Sequence, residues 1–99
     1  MPGFKSRHGR IHIHPTGLKV YPPKAGTMQE KIVEALRTGA TMAQLRRICV
    51  SKKGTPWSDD AIRSTMYWDL RNKGYGVRME DDFDRGLIMV LIDPSQDAA

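Results

Sequence analysis

The sequence predicts a small α+β domain, three short helices followed by a β-hairpin. Three observations carry that reading. Apolar residues recur at helical spacing in three separate segments between residues 28 and 73. Each segment opens on a capping residue and closes at a glycine or a polar break. After Gly74 the apolar period falls to two, and a polar turn divides two extended runs.

The first helix is expected over about 28–38. Thr27 followed by Glu30 has the spacing of a capping box, in which each side chain satisfies an amide at the other end. Met28, Ile32, Val33, Ala35 and Leu36 form its apolar face, and Gly39 stops it. Thr41 and Gln44 repeat the capping pattern at once, so a second helix is expected over about 42–50. Its apolar face is Ala43, Leu45, Ile48 and Cys49, with Arg46 and Arg47 pointing elsewhere. The link "SKKGTP" is basic, and its glycine and proline break the helix.

The third helix is expected over about 58–73, in "WSDDAIRSTMYWDLRNKG". Ser58 is a good N-cap, and Asp59 and Asp60 suit the positive end of the helix dipole. Arg71 and Lys73 suit its negative end. At about 100° per residue, Ile62, Met66 and Leu70 fall on one side, widened by Ala61, Thr65 and Trp68. Asp60, Arg63, Ser64, Tyr67 and Arg71 fall on the other. Asp69 projects near the buried arc and needs a hydrogen-bond partner there. Trp68 is expected to pack around this helix, while Trp57 is either packed or exposed near the helix start. Tyr75, Val77 and Met79 then alternate with polar residues, and residues 87–92 are apolar throughout, so a hairpin with an acidic tip ends the domain.

This order of elements is that of a winged helix-turn-helix, with the C-terminal hairpin as the wing. "GTMQEKIVEALRTGATMAQLRRI" followed by "WSDDAIRSTMYWDLRNKGYGV" resembles a family of small bacterial domains of unknown function. That family has Gly-Thr before its first helix, Gly-Ala-Thr before its second, and a tryptophan before a third helix ending in basic residues and glycine. The similarity covers about 26–92, and the acidic hairpin tip and long basic N-terminal arm depart from it. By fold analogy the resemblance implies DNA binding.

Charge is distributed unevenly. Residues 1–26 carry Lys5, Arg7, Arg10, Lys19 and Lys24 and no acid, whereas residues 79–99 carry one arginine against six acids. A basic face suggests a polyanion partner. Residues 1–25 are read as a basic arm, flexible or a short hairpin, residues 26–93 as the domain, and residues 94–99 as a frayed tail. Two alternating segments in the arm, around Ile13 and Val20, are separated by Pro15, Thr16 and Gly17, which is turn chemistry. Chain disorder up to about residue 24 is an equal alternative.

The expected function is DNA binding, in transcription regulation or another DNA transaction of a bacterium or phage, with the third helix in the major groove. Arg63 suits a guanine edge, Ser64 a base or phosphate, and Tyr67 and Arg71 the backbone. Ser58 stands at the leading end of the same helix. Arg46, Arg47, Lys52 and Lys53 suit phosphates. The arm cations Lys5, Arg7, Arg10, Lys19 and Lys24 suit a groove. Asp59 and Asp60 oppose this reading by repelling phosphate.

The competing reading is a protein-interaction module using the acidic wing at Asp81, Asp82 and Asp84. A third is RNA binding led by the arm. His8, His12 and His14 alternate as strand ligands would, but no carboxylate precedes Glu30 and no cysteine lies near, so no metal is expected. No cofactor and no catalysis are expected either, because no paired nucleophile and base or phosphate-binding glycine loop occurs. The single cysteine, Cys49, excludes an internal disulfide and favours a reducing, cytoplasmic setting. No apolar run approaches the roughly 20 residues of a membrane helix, and no apolar signal region follows the basic start. The oligomeric state is left open.

Overall fold

The computed structural model describes residues 12–17 and 19–97. Helix α1 (Met28–Thr38) starts where expected. The Thr27 hydroxyl accepts from the Glu30 N–H at 3.3 Å. The Glu30 carboxylate reaches back to the Gly26 N–H at 2.8 Å, one residue beyond the cap itself. Ile32, Val33 and Leu36 are buried, each stabilising the fold by about 1.5–3 kcal/mol. Gly39 ends the helix at φ 89°, and a side chain there would place its Cβ 2.7 Å from Ile88 Cδ1.

Helix α2 (Met42–Ile48) has the full capping box: Gln44 N–H donates to the Thr41 hydroxyl at 3.0 Å, and Thr41 N–H to the Gln44 amide oxygen at 2.9 Å. It stops two residues short of the expected end. Val50 pairs with Pro56 instead, and Trp57 N–H donates to the Cys49 carbonyl at 2.8 Å, closing a tight loop. Leu45 and Cys49 are buried, but Ala43 is exposed, because only one narrow side of so short a helix meets the core.

Helix α3 (Asp59–Ser64) is capped by Ser58, whose hydroxyl accepts from the Ala61 N–H at 3.1 Å. It runs on through a π-helical segment (Thr65–Leu70) before a last α-turn. The sequence did not announce this widening, and it changes which residues are buried. A π-turn advances by about 85° per residue, against about 100° in an α-helix. Leu70 is thereby brought to the centre of the buried face and is 0% exposed. Asp69 moves to the flank, where Gln29 Nε2 donates to Oδ2 at 3.4 Å. Trp68 turns fully outward and is 64% exposed, so its expected place in the core is corrected. The buried Thr65 hydroxyl donates to the Ala61 carbonyl at 3.1 Å, a bond that competes locally with the regular ladder.

Strands β1 (Gly76–Asp82) and β2 (Gly86–Ile92) form the antiparallel hairpin, in register from Gly76 opposite Ile92 to Asp82 opposite Gly86. Val77, Met89 and Leu91 turn into the core with the fully buried Tyr75. Three helices followed by a two-stranded hairpin make a small α+β fold, an arrangement consistent with a winged helix.

Each outer edge of the hairpin is pinned at one residue. Ala40 exchanges two backbone hydrogen bonds with Met89, at 3.0 and 2.7 Å, on the β2 side. Ile13 exchanges two with Val77, at 2.8 and 2.9 Å, on the β1 side. The arm is therefore neither free up to residue 24 nor folded on itself at Ile13. Ile13 is 3% exposed and joins the core, and Tyr21 N–H donates to the Lys73 carbonyl at 2.9 Å. Burial of one isoleucine and closure of a sheet edge offset the ordering of this segment. Lys5, Arg7, His8 and Arg10 lie outside the described residues.

The expected tail is also tied in at its root. Asp93, 7% exposed, accepts from Arg37 Nη1 at 2.8 Å and from Ser95 N–H and Oγ at 3.0 and 2.6 Å, and a short helix α4 (Pro94–Asp97) follows. Burial by itself would raise the Asp93 pKa, but the Ser95 and Arg37 hydrogen bonds outweigh it and hold the carboxyl below its ordinary value. The Tyr75 hydroxyl, near this pair, has no partner in good hydrogen-bonding geometry, and its pKa is raised by burial first and by the Asp93 charge second. Among the described residues, no helix is long and apolar enough to cross a membrane.

Two outcomes follow from these contacts. A Cβ at Gly76 would sit 2.4 Å from the Ile13 carbonyl oxygen and 2.7 Å from Pro15 Cδ. Gly76→Ala is expected to unseat the 12–17 segment while the helices persist, read as accelerated hydrogen exchange at Ile13 and Val77. Asp93→Asn is expected to cost about 1–2 kcal/mol in urea unfolding at pH 7. Because the folded Asp93 pKa is depressed, its contribution is present above the unfolded value of about 3.9 and is lost as pH falls through the folded value. The gap between wild type and variant should therefore close in acid.

Candidate functional site

The π-turn sorts the outward residues of the third helix into two stripes. Arg63, Tyr67 and Arg71 form one, and Ser64, Trp68 and Asn72 the other. Tyr67 is 41% and Trp68 64% exposed. Arg63 is half-buried and stands 3.8 Å from Asp60, a long and weak ion pair. Ser64, Arg71 and Asn72 are exposed and make no ion pair or side-chain hydrogen bond among the described residues. The sequence reading placed Arg63, Ser64, Tyr67 and Arg71 on this face, and the structure brings them together. Trp68 and Asn72 were missed. The available signal was the misfit of Asp69, which an unbroken α-helix would have driven into the core.

The start of the helix is bordered by the loop from α2. Lys52 and Lys53 stand exposed in a turn closed by Ser51 N–H to Thr55 carbonyl at 2.9 Å and by Gly54 at φ 86°. Arg47 is exposed beside them in sequence, and none of these three cations is ion-paired among the described residues. Arg46 differs. Its Nη1 donates to both carboxylate oxygens of Asp59, at 2.9 and 3.0 Å. This pair ties α2 to the start of α3 and neutralises the acid that the sequence reading counted against phosphate. It also occupies Arg46, so the expected four-cation cluster offers three unpaired cations. Ser58 is likewise occupied as a cap acceptor, leaving its hydroxyl proton as the group it can donate. Asp60 remains exposed at the leading end.

The far end of the helix is bordered by the arm. His12, Ile13, His14, Tyr67 and Arg71 line an open cleft of about 230 Å³. The two imidazoles meet edge to face, 4.3 Å between centroids, and both are exposed. Pairing of Ile13 with Val77 puts them there, a juxtaposition across more than fifty residues of chain that no local pattern encodes. A guanidinium, a phenol and two imidazoles are all able to donate to an anion. Lys19 and Lys24 do not line this cleft, although Tyr21 shares a second open cleft with Asn72 and Lys73 at the end of the same helix. Lys19 lies 5.8 Å from the Tyr21 ring centroid, and the Lys24 carbonyl accepts from the Thr27 hydroxyl at the start of α1.

Among the described residues no three His, Cys, Asp or Glu side chains come together as a metal site. Cys49 is fully buried, and burial pushes its thiol pKa up, which leaves it an inert core residue. At the hairpin end, Asp82 is structural. Its Oδ2 accepts from Asp84 N–H, Arg85 N–H and Arg85 Nε, at 3.2, 3.0 and 3.3 Å. The Arg85 hydrogen bond is the chief cause holding its carboxyl below the ordinary value. Arg85 also donates to the Gly39 carbonyl at 3.0 Å and the Gln44 amide oxygen at 3.1 Å, fastening the hairpin end to the α1–α2 junction. Asp81, Phe83 and Asp84 project from it, Phe83 fully exposed.

The described features define a small α+β domain with a mixed basic and aromatic helix face bordered on both ends. No protein-family model, curated protein or solved structure matches this chain.

The orientation of Trp68 is directly measurable. In the Trp57→Phe variant, the remaining tryptophan should emit like one in water and be quenched readily by acrylamide, without loss of the far-ultraviolet helix signal. Blue-shifted, protected emission would mean that the indole is covered and not presented on the outward face.

Proposed function

We propose that this chain is a DNA-binding protein of the winged helix-turn-helix type, presenting α3 and its π-helical extension to the major groove. The observation that carries the reading is the composition of that exposed face. Arg63, Ser64, Tyr67 and Arg71 stand together on it, with Arg47, Lys52 and Lys53 at one end and His12 and His14 at the other. Arginine, serine and tyrosine beside a basic loop suit a surface that meets base edges at its centre and phosphates at its borders. Capture of Asp59 by Arg46 supports the reading, because it removes the repulsion nearest the loop. Lys5, Arg7 and Arg10 precede His12 in the chain, and basic arms of this kind suit a DNA groove. A role in transcription regulation or another DNA transaction, in a bacterium or phage, rests on fold analogy.

A second reading rests on the hairpin end. Phe83, 101% exposed between Asp81 and Asp84 and held by the Arg85 clasp, suits a partner protein with a basic rim and an apolar pocket. Its acids oppose a phosphate contact, so the two surfaces would serve different partners.

The test is an NMR titration with a short random-sequence duplex at low and then physiological salt. Shifts should concentrate at Arg47, Lys52 and Lys53 and along residues 58–72, and weaken with salt. Replacing Arg47, Lys52 and Lys53 by alanine should lower the slope of log affinity against log salt by roughly 2–3, at about 0.9 per phosphate contact. Absence of any shift at low salt would reject the DNA reading and turn attention to Phe83 and its acids.

A further inference from the structure

We propose that Trp68 is the specificity residue of this face and that it reads thymine methyl groups in A·T-containing sites. The inference rests on the DNA-binding reading and goes beyond it. It starts from the cost of leaving tryptophan in water. Trp68 is the largest side chain on the helix and is 64% exposed, on the side of the helix opposite the buried Ile62, Met66 and Leu70. π-turns of this kind occur often at functional sites.

Its stripe differs chemically from its neighbour. Ser64, one turn before, and Asn72, one turn after, are exposed, neutral and without a side-chain partner among the described residues. The parallel stripe carries Arg63 and Arg71 with Tyr67. Arginine is the residue suited to guanine, through its O6 and N7 acceptors, and to phosphates. Asparagine suits adenine, donating to N7 and accepting from the N6 amine. An apolar surface in the major groove finds only one apolar base substituent, the thymine C5 methyl. Trp68 and Asn72 therefore point independently to the same base pair. The division of labour is that Trp68 and Asn72 discriminate, while Arg71, with Arg47, Lys52 and Lys53, supplies salt-dependent attraction.

The probes are three 16-base-pair duplexes: alternating dA–dT, the same sequence with uracil for thymine, and alternating dG–dC. Uracil lacks only the methyl group, so base pairing and charge are retained. Wild-type protein should bind the thymine duplex about fourfold or more tighter than the uracil duplex, the value of one buried methyl group. It should bind the dG–dC duplex more weakly than the thymine duplex. Trp68→Ala, whose exposed position spares the core, should abolish the thymine–uracil difference while keeping the salt slope. Arg71→Ala should lower the slope and keep the difference.

Equal binding to thymine and uracil duplexes, or discrimination that survives Trp68→Ala, would overturn the inference and leave DNA binding standing. Tighter binding to single-stranded dT than to any duplex would overturn it in favour of base stacking. Failure to bind every duplex at low salt would reject the underlying DNA reading, and the inference with it.

Discussion

The fold depends on a two-stranded hairpin whose two outer edges are each pinned by one bridging residue. A lone hairpin is marginal in water, and its outer N–H and C=O groups invite wrong partners. Here Ala40 pins the β2 edge at Met89 and Ile13 the β1 edge at Val77, each with two backbone bonds. The first pair fixes the junction of α1 and α2, which Arg85 reinforces from the hairpin end. The second pair fixes the arm, and Gly76 lets it approach by having no side chain. Helix packing and arm placement thus share one scaffold, and the buried Val77 and Met89 carry both the edge bonds and the core contacts.

The same scaffold accounts for the composition of the candidate site. Arg46 and Asp59 set the approach of α2 to the start of α3. Ile13 delivers His12 and His14 to the other end. Between them the π-turn solves a conflict written into the helix: residues 62, 66 and 70 must be buried, and Asp69 must not. A wider turn admits Leu70 and spares Asp69, and it aligns Trp68 with Ser64 and Asn72 on the outward side. Trp68 adjoins the exposed Tyr67, and two neighbouring aromatic rings with polar tips suit a partner that covers them. A local solution to packing and a candidate recognition surface therefore coincide.

Much of this was legible in the residues. The capping pairs Thr27–Glu30 and Thr41–Gln44, the stop at Gly39 and the change of period after Gly74 are local signals, and the helices and hairpin follow them. So does most of the outward face, since Arg63, Ser64, Tyr67 and Arg71 stay outward under either helix geometry. Other errors came from treating each segment alone. Val50 left the second helix to pair with Pro56, and Asp93, at the root of an expected tail, became the partner of Arg37.

The sequence by itself determined the element order, the caps, the apolar faces and the basic loop, because these depend on neighbours within a few residues. Tertiary structure decided the rest. Whether Leu70 or Asp69 meets the core depends on a turn widened where the helix packs against the rest of the domain. Whether the arm is seated depends on an edge of β1 more than sixty residues away and on the room left by Gly76. Whether Arg46 is available depends on Asp59 across the loop. Each is a balance between burial and pairing settled only when distant segments meet, and no local pattern of residues states its outcome.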